Sequence, residues 1–277
     1  MRRNTRCFSL GEVNIGSDHP ISVQSMTKTD TRDIEKTVEQ INELEMAGCD
    51  IIRCAVPNID AAKSLKDIIL KTKLPIVADI HFEYRLALEA IKSGVHGLRI
   101  NPGNIGQKKR IISVVQSAKD SNIPIRIGVN SGSLEKDLLE KYGYPSADAL
   151  VESAERHLSI LDELDFKNVK VSVKSSNVNI MIDAYRKLAK KTDVPFHLGV
   201  TESGTYEIGS VKSSIGIGSL ISEGIGDTIR VSLTDDPIKE VKMGKNILKA
   251  LGHFENGSEF ITFPGGGRLE IDLQTLG

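Results

Sequence analysis

Five cations sit where a folded chain can least easily hold them. Arg53 interrupts the run IIRCA, Arg99 the run GLRIN and Arg126 the run IRIGV, while Lys174 closes VKVSVK and Arg230 stands in TIRVS. Runs this rich in branched and small residues form strands buried on both faces, so each cation is forced into a desolvated place. The acidic residues at the ends of such runs are two, Asp79 and Glu202, too few to pair with all five. A ligand carrying several negative charges supplies the balance. A diphosphate or bisphosphate suits the set, because arginine grips phosphate oxygens through two parallel hydrogen bonds. Pairing to carbonyls and carboxylates is the structural alternative for any single arginine; five strands contributing at once favour an anion site.

Other groups accompany them. Asp79 and His81 form Asp-x-His, a spacing that turns both side chains to one side of an extended backbone, as an acid-base pair or an orienting dyad. A metal site there needs a third ligand, with His197 or Glu202 as candidates, although the reading adopted has no metal. Hydrogen-bonding residues follow the strand runs: Asn101, Asn104, Asn130, Ser175, Ser176, Asn177, Ser203 and Ser232. Gly103, Gly132 and Gly204 among them would let backbone amides approach phosphate. His19, His96 and His253 read as surface residues, and Cys7, Cys49 and Cys54 as buried free thiols rather than a metal framework.

The elements that must position these groups recur eight times. Strands are expected at 21–25, 51–55, 75–79, 97–100, 124–129, 168–173, 195–200 and 228–232. Helical spacing follows from near Asp33, Ile59, Tyr84, Gln107, Ala147, Asn177, Ser210 and Pro237. Eight strand-helix units without a linker predict an α/β fold, the (β/α)8 barrel, whose sites form at the C-terminal ends of the strands. An open doubly wound sheet is the rival, but its Gly-rich fingerprint should follow the first strand, where this chain has SVQSMTKTDT. Gly216 and Gly218 make a Gly-x-Gly inside the seventh helical stretch, which reads as close packing of helix on strand.

Composition excludes several classes. With 36 Lys+Arg against 37 Asp+Glu, the net charge of -1 leaves no footprint of nucleic-acid or membrane binding. No run approaches the roughly 18 apolar residues of a membrane span, and the N-terminal MRRNTRCFSL lacks the apolar core of a signal peptide, so the expected setting is cytoplasmic.

The runs SVQSMTKTDTRD, AGCDIIRCAVP, PIVADIHFEYRLAL, LRINPGN, IRIGVNSGSL, VKVSVKSSNV, HLGVTESG and IGIGSLISEGIGDTIRVSLTDDP resemble the 4-hydroxy-3-methylbut-2-enyl diphosphate synthase family. The resemblance implies an oxidoreductase of the methylerythritol phosphate route to isoprenoids, opening 2-C-methylerythritol 2,4-cyclodiphosphate reductively with electrons from flavodoxin or ferredoxin. It implies substrate-binding roles for Arg53, Arg99, Asn101, Arg126, Asn130, Lys174, Arg230 and Ser232, with Asp79 and His81 as catalytic candidates. Family members follow the barrel with a domain holding a four-iron, four-sulfur cluster, whose first ligands come from Cys-Pro-x-Cys-Gly-Arg. Here Phe263 and Gly266 stand at those two cysteine positions. The expectation is therefore a substrate-binding barrel over residues 1–257 and, in 258–277, a remnant of the start of a cluster domain lost or truncated. Such a chain binds the cyclic diphosphate, holds no cofactor of its own and is inactive alone, with a homodimer possible. A non-catalytic phosphometabolite-binding barrel and a pterin-binding-type barrel enzyme are the alternatives.

Overall fold

The computed structural model describes residues 1–106 and 108–253. The chain opens with an antiparallel hairpin, β1 (Phe8–Leu10) and β2 (Val13–Ile15). Strands and helices then alternate: β3 (Ser22–Met26), α1 (Ile34–Met46), β4 (Ile51–Ala55), α2 (Ile59–Lys71), β5 (Ile76–Asp79), α3 (Tyr84–Lys92) and β6 (Gly97–Ile100). After a single turn α4 (Pro102–Ile105) come α5 (Lys108–Asp120), β7 (Ile125–Asn130), α6 (Lys136–Tyr142), α7 (Ala147–Glu163), β8 (Val169–Lys174) and α8 (Val178–Ala189). β9 (His197–Leu198), α9 (Tyr206–Ser222), β10 (Thr228–Ile229) and α10 (Pro237–Ala250) complete the described chain.

All eight strands from β3 onward pair in parallel, in the order β8-β7-β6-β5-β4-β3-β10-β9. A parallel bridge from Val171 to Phe196 joins β8 to the residue before β9 and closes the ring. The expected (β/α)8 barrel is therefore the fold, and an open sheet is excluded. Local chemistry starts and stops the helices. Asp33, Asn58, Ser146 and Asn177 cap α1, α2, α7 and α8 by accepting hydrogen bonds from first-turn amides. Gly94, at φ 87°, turns the chain out of α3 in a conformation that side chains with a Cβ resist.

One hydrophobic cluster fills the layer between strands and helices, with Ile52, Ile76, Ile100, Ile127, Val171 and Leu198 among its fully buried members. A second lies at the N-terminal end of the barrel, where Phe8, Leu10 and Ile15 of the hairpin pack on Ile51 and Val77. Leu10 reaches so far inward that a Cβ added at Gly97 would stand 3.2 Å from its methyl carbon. The preceding segment is tied down as well, Arg2 to Asp227 at 3.0 Å and Arg3 to the Val194 carbonyl at 2.6 Å.

Several expectations need correction. The hairpin, α4 and α6 were not foreseen, and β9 and β10 are two residues each because the barrel seam is tied there by isolated bonds, such as Arg230 N to Leu198 O at 2.9 Å. α9 begins at Tyr206, not near Ser210, because the buried positions of its first part are Gly209, Ser210, Ser213 and Gly216, which show no hydrophobic period. Gly216 packs as expected, its absent Cβ 2.7 Å from Met181, whereas Gly218 faces open space. Cys49 and Cys54 are buried free thiols, but Cys7 is exposed, on the segment ahead of the hairpin. Phe263, Gly266 and the whole of 258–277, like Gln107, lie outside the described residues.

Candidate anion-binding site at the barrel mouth

Alternation along the strands sends every second side chain into the barrel, and register then sets its neighbours. Asp79 lies beside Arg99, Arg99 beside Arg126 and Arg126 beside Lys170 on consecutive strands β5 to β8. One carboxylate and three cations thus make a continuous arc. Above it, at the C-terminal ends of the strands, a cavity of about 250 Å3 is lined by Arg53, Arg99, Arg126, Lys174 and Arg230. Asp79, His81, Asn130 and Ser232 line it too.

Asp79 is the hub. Its Oδ1 accepts from Arg99 at 3.1 Å, and its Oδ2 lies 3.3 Å from His81 Nε2 and 3.6 Å from Arg53 Nε. Burial alone would raise its pKa, but Arg53, the hydrogen bond from His81 and Arg99 outweigh that and hold the carboxyl well below the usual range. His81 is 54% exposed, so the pair joins the cavity floor to its rim. Arg53 also points both Nε and NH2 at the Met26 sulfur, at 3.2 and 2.9 Å; burial, despite Asp79, lowers its pKa to about 10. Asn130 donates to the Val129 carbonyl at 3.1 Å and accepts from Arg99 at 3.2 Å once its amide is oriented to satisfy both.

Arg126 has no such support. It is 3% exposed, its Nε and NH1 have no partner, and burial followed by repulsion from Arg53 and Arg99 lowers its pKa. Lys174 is lowered in the same way, by burial and then by Arg126 and Arg230. A guanidinium keeps its proton in proteins, so the repulsion among these cations is held in the fold.

Two glycines make room for these head groups. A Cβ at Gly128 would stand 2.7 Å from Arg99 Nε, and one at Gly199 2.8 Å from Lys174 Nζ and 2.5 Å from the Arg230 carbonyl. Neither glycine was singled out from the sequence; nor were Met26, Ser172, Val200 and Thr201, which also line the cavity.

The second acid at the mouth is not Glu202. Glu202 is exposed, whereas Glu240, on α10, is 2% exposed and reaches within 3.6 Å of Arg230. Its Oε1 accepts from the Leu233 amide at 2.9 Å, and burial, only partly offset by Arg230, raises its pKa. Asn101 is not among the residues that line the cavity, and its Oδ1 caps α4 through the Gly103 amide at 3.1 Å. Ser175 and Asn177 likewise serve local turns and the cap of α8. Ser203 donates to the Ser232 carbonyl and so fixes the chain after β10. His157 on α7, overlooked in the sequence, pairs with Glu135 at 2.8 Å beside Gly103 of α4.

His197 is not beside Asp79 and His81. It is fully buried at the start of β9, with Nδ1 2.8 Å from Thr228 Oγ1. Among the described residues no three His, Cys, Asp or Glu side chains gather as a metal site. A four-iron cluster ordinarily takes four thiolates, and the described residues hold three cysteines, the exposed Cys7 and the buried Cys49 and Cys54, so they do not fit one. A larger hollow of about 780 Å3 lies at the opposite end, around His19 and His253. Its charges are balanced, Lys245 on Asp50 at 3.0 Å and Arg2 on Asp227, so it lacks the positive excess of the mouth.

Residues 5–245 match the GcpE TIM-barrel domain. The chain is 61% identical over 272 residues to the 4-hydroxy-3-methylbut-2-en-1-yl diphosphate synthase (flavodoxin) of Clostridium acetobutylicum, covering 98% of this chain and 78% of that one. It is 57% identical to the enzyme of that name from Thermodesulfovibrio yellowstonii, over 99% and 79% of the two chains. The dihydropteroate synthase of Yersinia pestis shares the barrel alone, with a TM-score of 0.60, 11% identity and coverage of 91% and 98%. A barrel-domain match over most of its length, joined to identities of this size, means that the chain belongs to the family of the 4-hydroxy-3-methylbut-2-en-1-yl diphosphate synthases.

Proposed function

We propose that this chain is the substrate-holding barrel of a 4-hydroxy-3-methylbut-2-en-1-yl diphosphate synthase, acting in isoprenoid biosynthesis on 2-C-methylerythritol 2,4-cyclodiphosphate. The observation that carries the reading is the charge balance of the mouth. Five cations from five strands line one cavity, and the carboxylates within reach are Asp79 and Glu240. Arg126 and Lys174 hold the diphosphate, since neither has an acid partner, while Arg53, Arg99 and Arg230 are oriented by the two carboxylates to meet it. Ser232 and Asn130 add polar contacts at the rim. His81, steadied by Asp79 and open to the mouth, is assigned the handling of a proton at a substrate oxygen.

The barrel residues bind, orient and move protons; none supplies electrons. The relatives' names specify flavodoxin, and we assign this chain a donor of that class, flavodoxin or ferredoxin. The chain alone is proposed to bind without turnover. No described helix is long and apolar enough to cross a membrane.

Calorimetric titration with the cyclodiphosphate, a pterin diphosphate and inorganic diphosphate tests the reading. The cyclodiphosphate should bind most tightly. Preference for the pterin compound would move the chain to the pterin-binding class, and equal affinity for inorganic diphosphate would make it a general phosphometabolite binder.

We also propose self-association through α9. Ile208, Val211 and Ile215 are each more than half exposed, and their spacing of three and four makes an apolar seam that suits an identical helix across a two-fold axis. Light scattering should give twice the chain mass, and Ile215→Glu should halve it; a monomer in both would reject the seam.

A further inference from the structure

We infer that Lys170 is a further member of the anion site, set below the cavity floor, and that a diphosphate binding above it draws a proton onto the Lys170 Nζ. The inference rests on the reading of the mouth as a diphosphate site. β8 places Lys170, Ser172 and Lys174 on its inward face at steps of two; the upper two line the cavity, and Lys170 is next beneath. Its side chain is buried in the barrel, 2% exposed, and its Nζ has no hydrogen-bond partner.

The groups around it explain why. From β7 comes Arg126, its lateral neighbour, with two unpartnered nitrogens of its own. From β9 comes His197, whose Nε2 is also unpartnered, and Lys174 stands further along the same strand. Arg53, Asp79 and Arg99 lie around the ring on β4 to β6, where Asp79 is already shared between the two arginines. β3 presents the neutral Ser22 and Gln24. The acid nearest in effect is Asp227, ahead of β10, and it is already engaged: Oδ1 accepts from Arg2 and Thr5 at 3.0 Å each, and Oδ2 from the Phe196 amide at 2.8 Å.

A buried amine with no acceptor, in a field of cations, sheds its proton. Consistent with that arrangement, burial first and Arg126 second bring Lys170 down to about 7. A diphosphate on Arg126 and Lys174 reverses the sign of that field, and the amine becomes an ammonium ion with a proton taken from solvent. A ligand of single charge does this less well, so the buried lysine favours highly charged ligands. The linkage has a definite sign. Affinity is insensitive to this group below about pH 7, where Lys170 is already charged, and falls as pH rises above that value until the raised pKa of the complex is reached.

The experiment is calorimetric titration of the whole chain with inorganic diphosphate in buffers of different ionisation enthalpy, for wild type and Lys170→Met. At about pH 8 the free lysine is roughly 90% neutral, so wild type should take up about 0.9 proton more than the variant. The ligand's own titration cancels in that difference. Equal uptake in the two proteins overturns the inference. If wild type binds no diphosphate at all, the reading of the cavity falls and this inference with it. Should Lys170→Met fail to fold, Lys170→Arg, which stays charged at every pH used, takes its place. Uptake below that of wild type supports the coupling, and equal uptake rejects it.

Discussion

Replacing Arg126 by methionine should make the protein more stable and a worse binder, and the two effects come from one feature. Arg126 is buried without a carboxylate, with Arg99 and Lys170 as its lateral neighbours in the ring. A neighbouring unit charge roughly 6 Å away repels it by about 3 kcal/mol at an effective dielectric near 20. Methionine keeps the aliphatic stem and removes no native ion pair, so a net gain of about 1–3 kcal/mol is expected. For a chain of this size that is roughly 2–10 °C in Tm. Against this, a lost charge-assisted contact to phosphate costs about 1.5–3 kcal/mol, or roughly ten- to a hundredfold in affinity. Differential scanning fluorimetry and titration with the cyclodiphosphate read both quantities on one preparation. A variant that melts lower and binds as well as wild type would refute the reasoning, because Arg126 would then be a structural residue whose partner had been missed.

Asp79→Asn should do the opposite to stability, costing about 3–5 kcal/mol by leaving Arg53 and Arg99 buried without their acid. Because the folded pKa of Asp79 is depressed, its contribution is complete above the unfolded value near 4 and is lost as pH falls through the folded one. Acid titrations of stability should therefore show a smaller loss below about pH 4 in the variant than in wild type. Gly128→Ala places a methyl group 2.7 Å from Arg99 Nε, so the guanidinium must swing aside. Weaker diphosphate binding with a retained far-ultraviolet spectrum is expected, and unchanged affinity would show that Arg99 does not hold the ligand. Lys109→Ala, on the exposed face of α5, should leave the dissociation constant within about twofold, since solvated cations contribute little.

Much of this site was legible because barrel strands leave so little freedom. A cation inside IIRCA or GLRIN has nowhere to go but inward or into the helix layer, and the Asp-x-His pair needed only an extended backbone to meet. What escaped did so for physical reasons. Glu240 stands on a helix, where an acid is ordinary, and only the fold brings it to Arg230. Glycines 128 and 199 act by what they lack, so no side chain announces them. Asn101 and Asn177 carry a second reading, since a donor at a strand end is also the residue that starts the next helix, and each caps one here. Lys170 was in plain view within the sixth strand run and carried the same signal as Lys174. It lies low on the strand, away from the C-terminal ends where barrel sites form.

The hairpin packed on Ile51, Val77 and Gly97 covers the lower ends of β4 to β6, while the cations of the interior open onto the cavity at the upper ends of the strands. On the proposed reading, ligand and proton reach the site from that upper side. A diphosphate held over Arg126 and Lys174 would then stand between the proton on Lys170 and solvent. Release of the two would be coupled by the layout of the fold, and a surface settling over the rim would slow both.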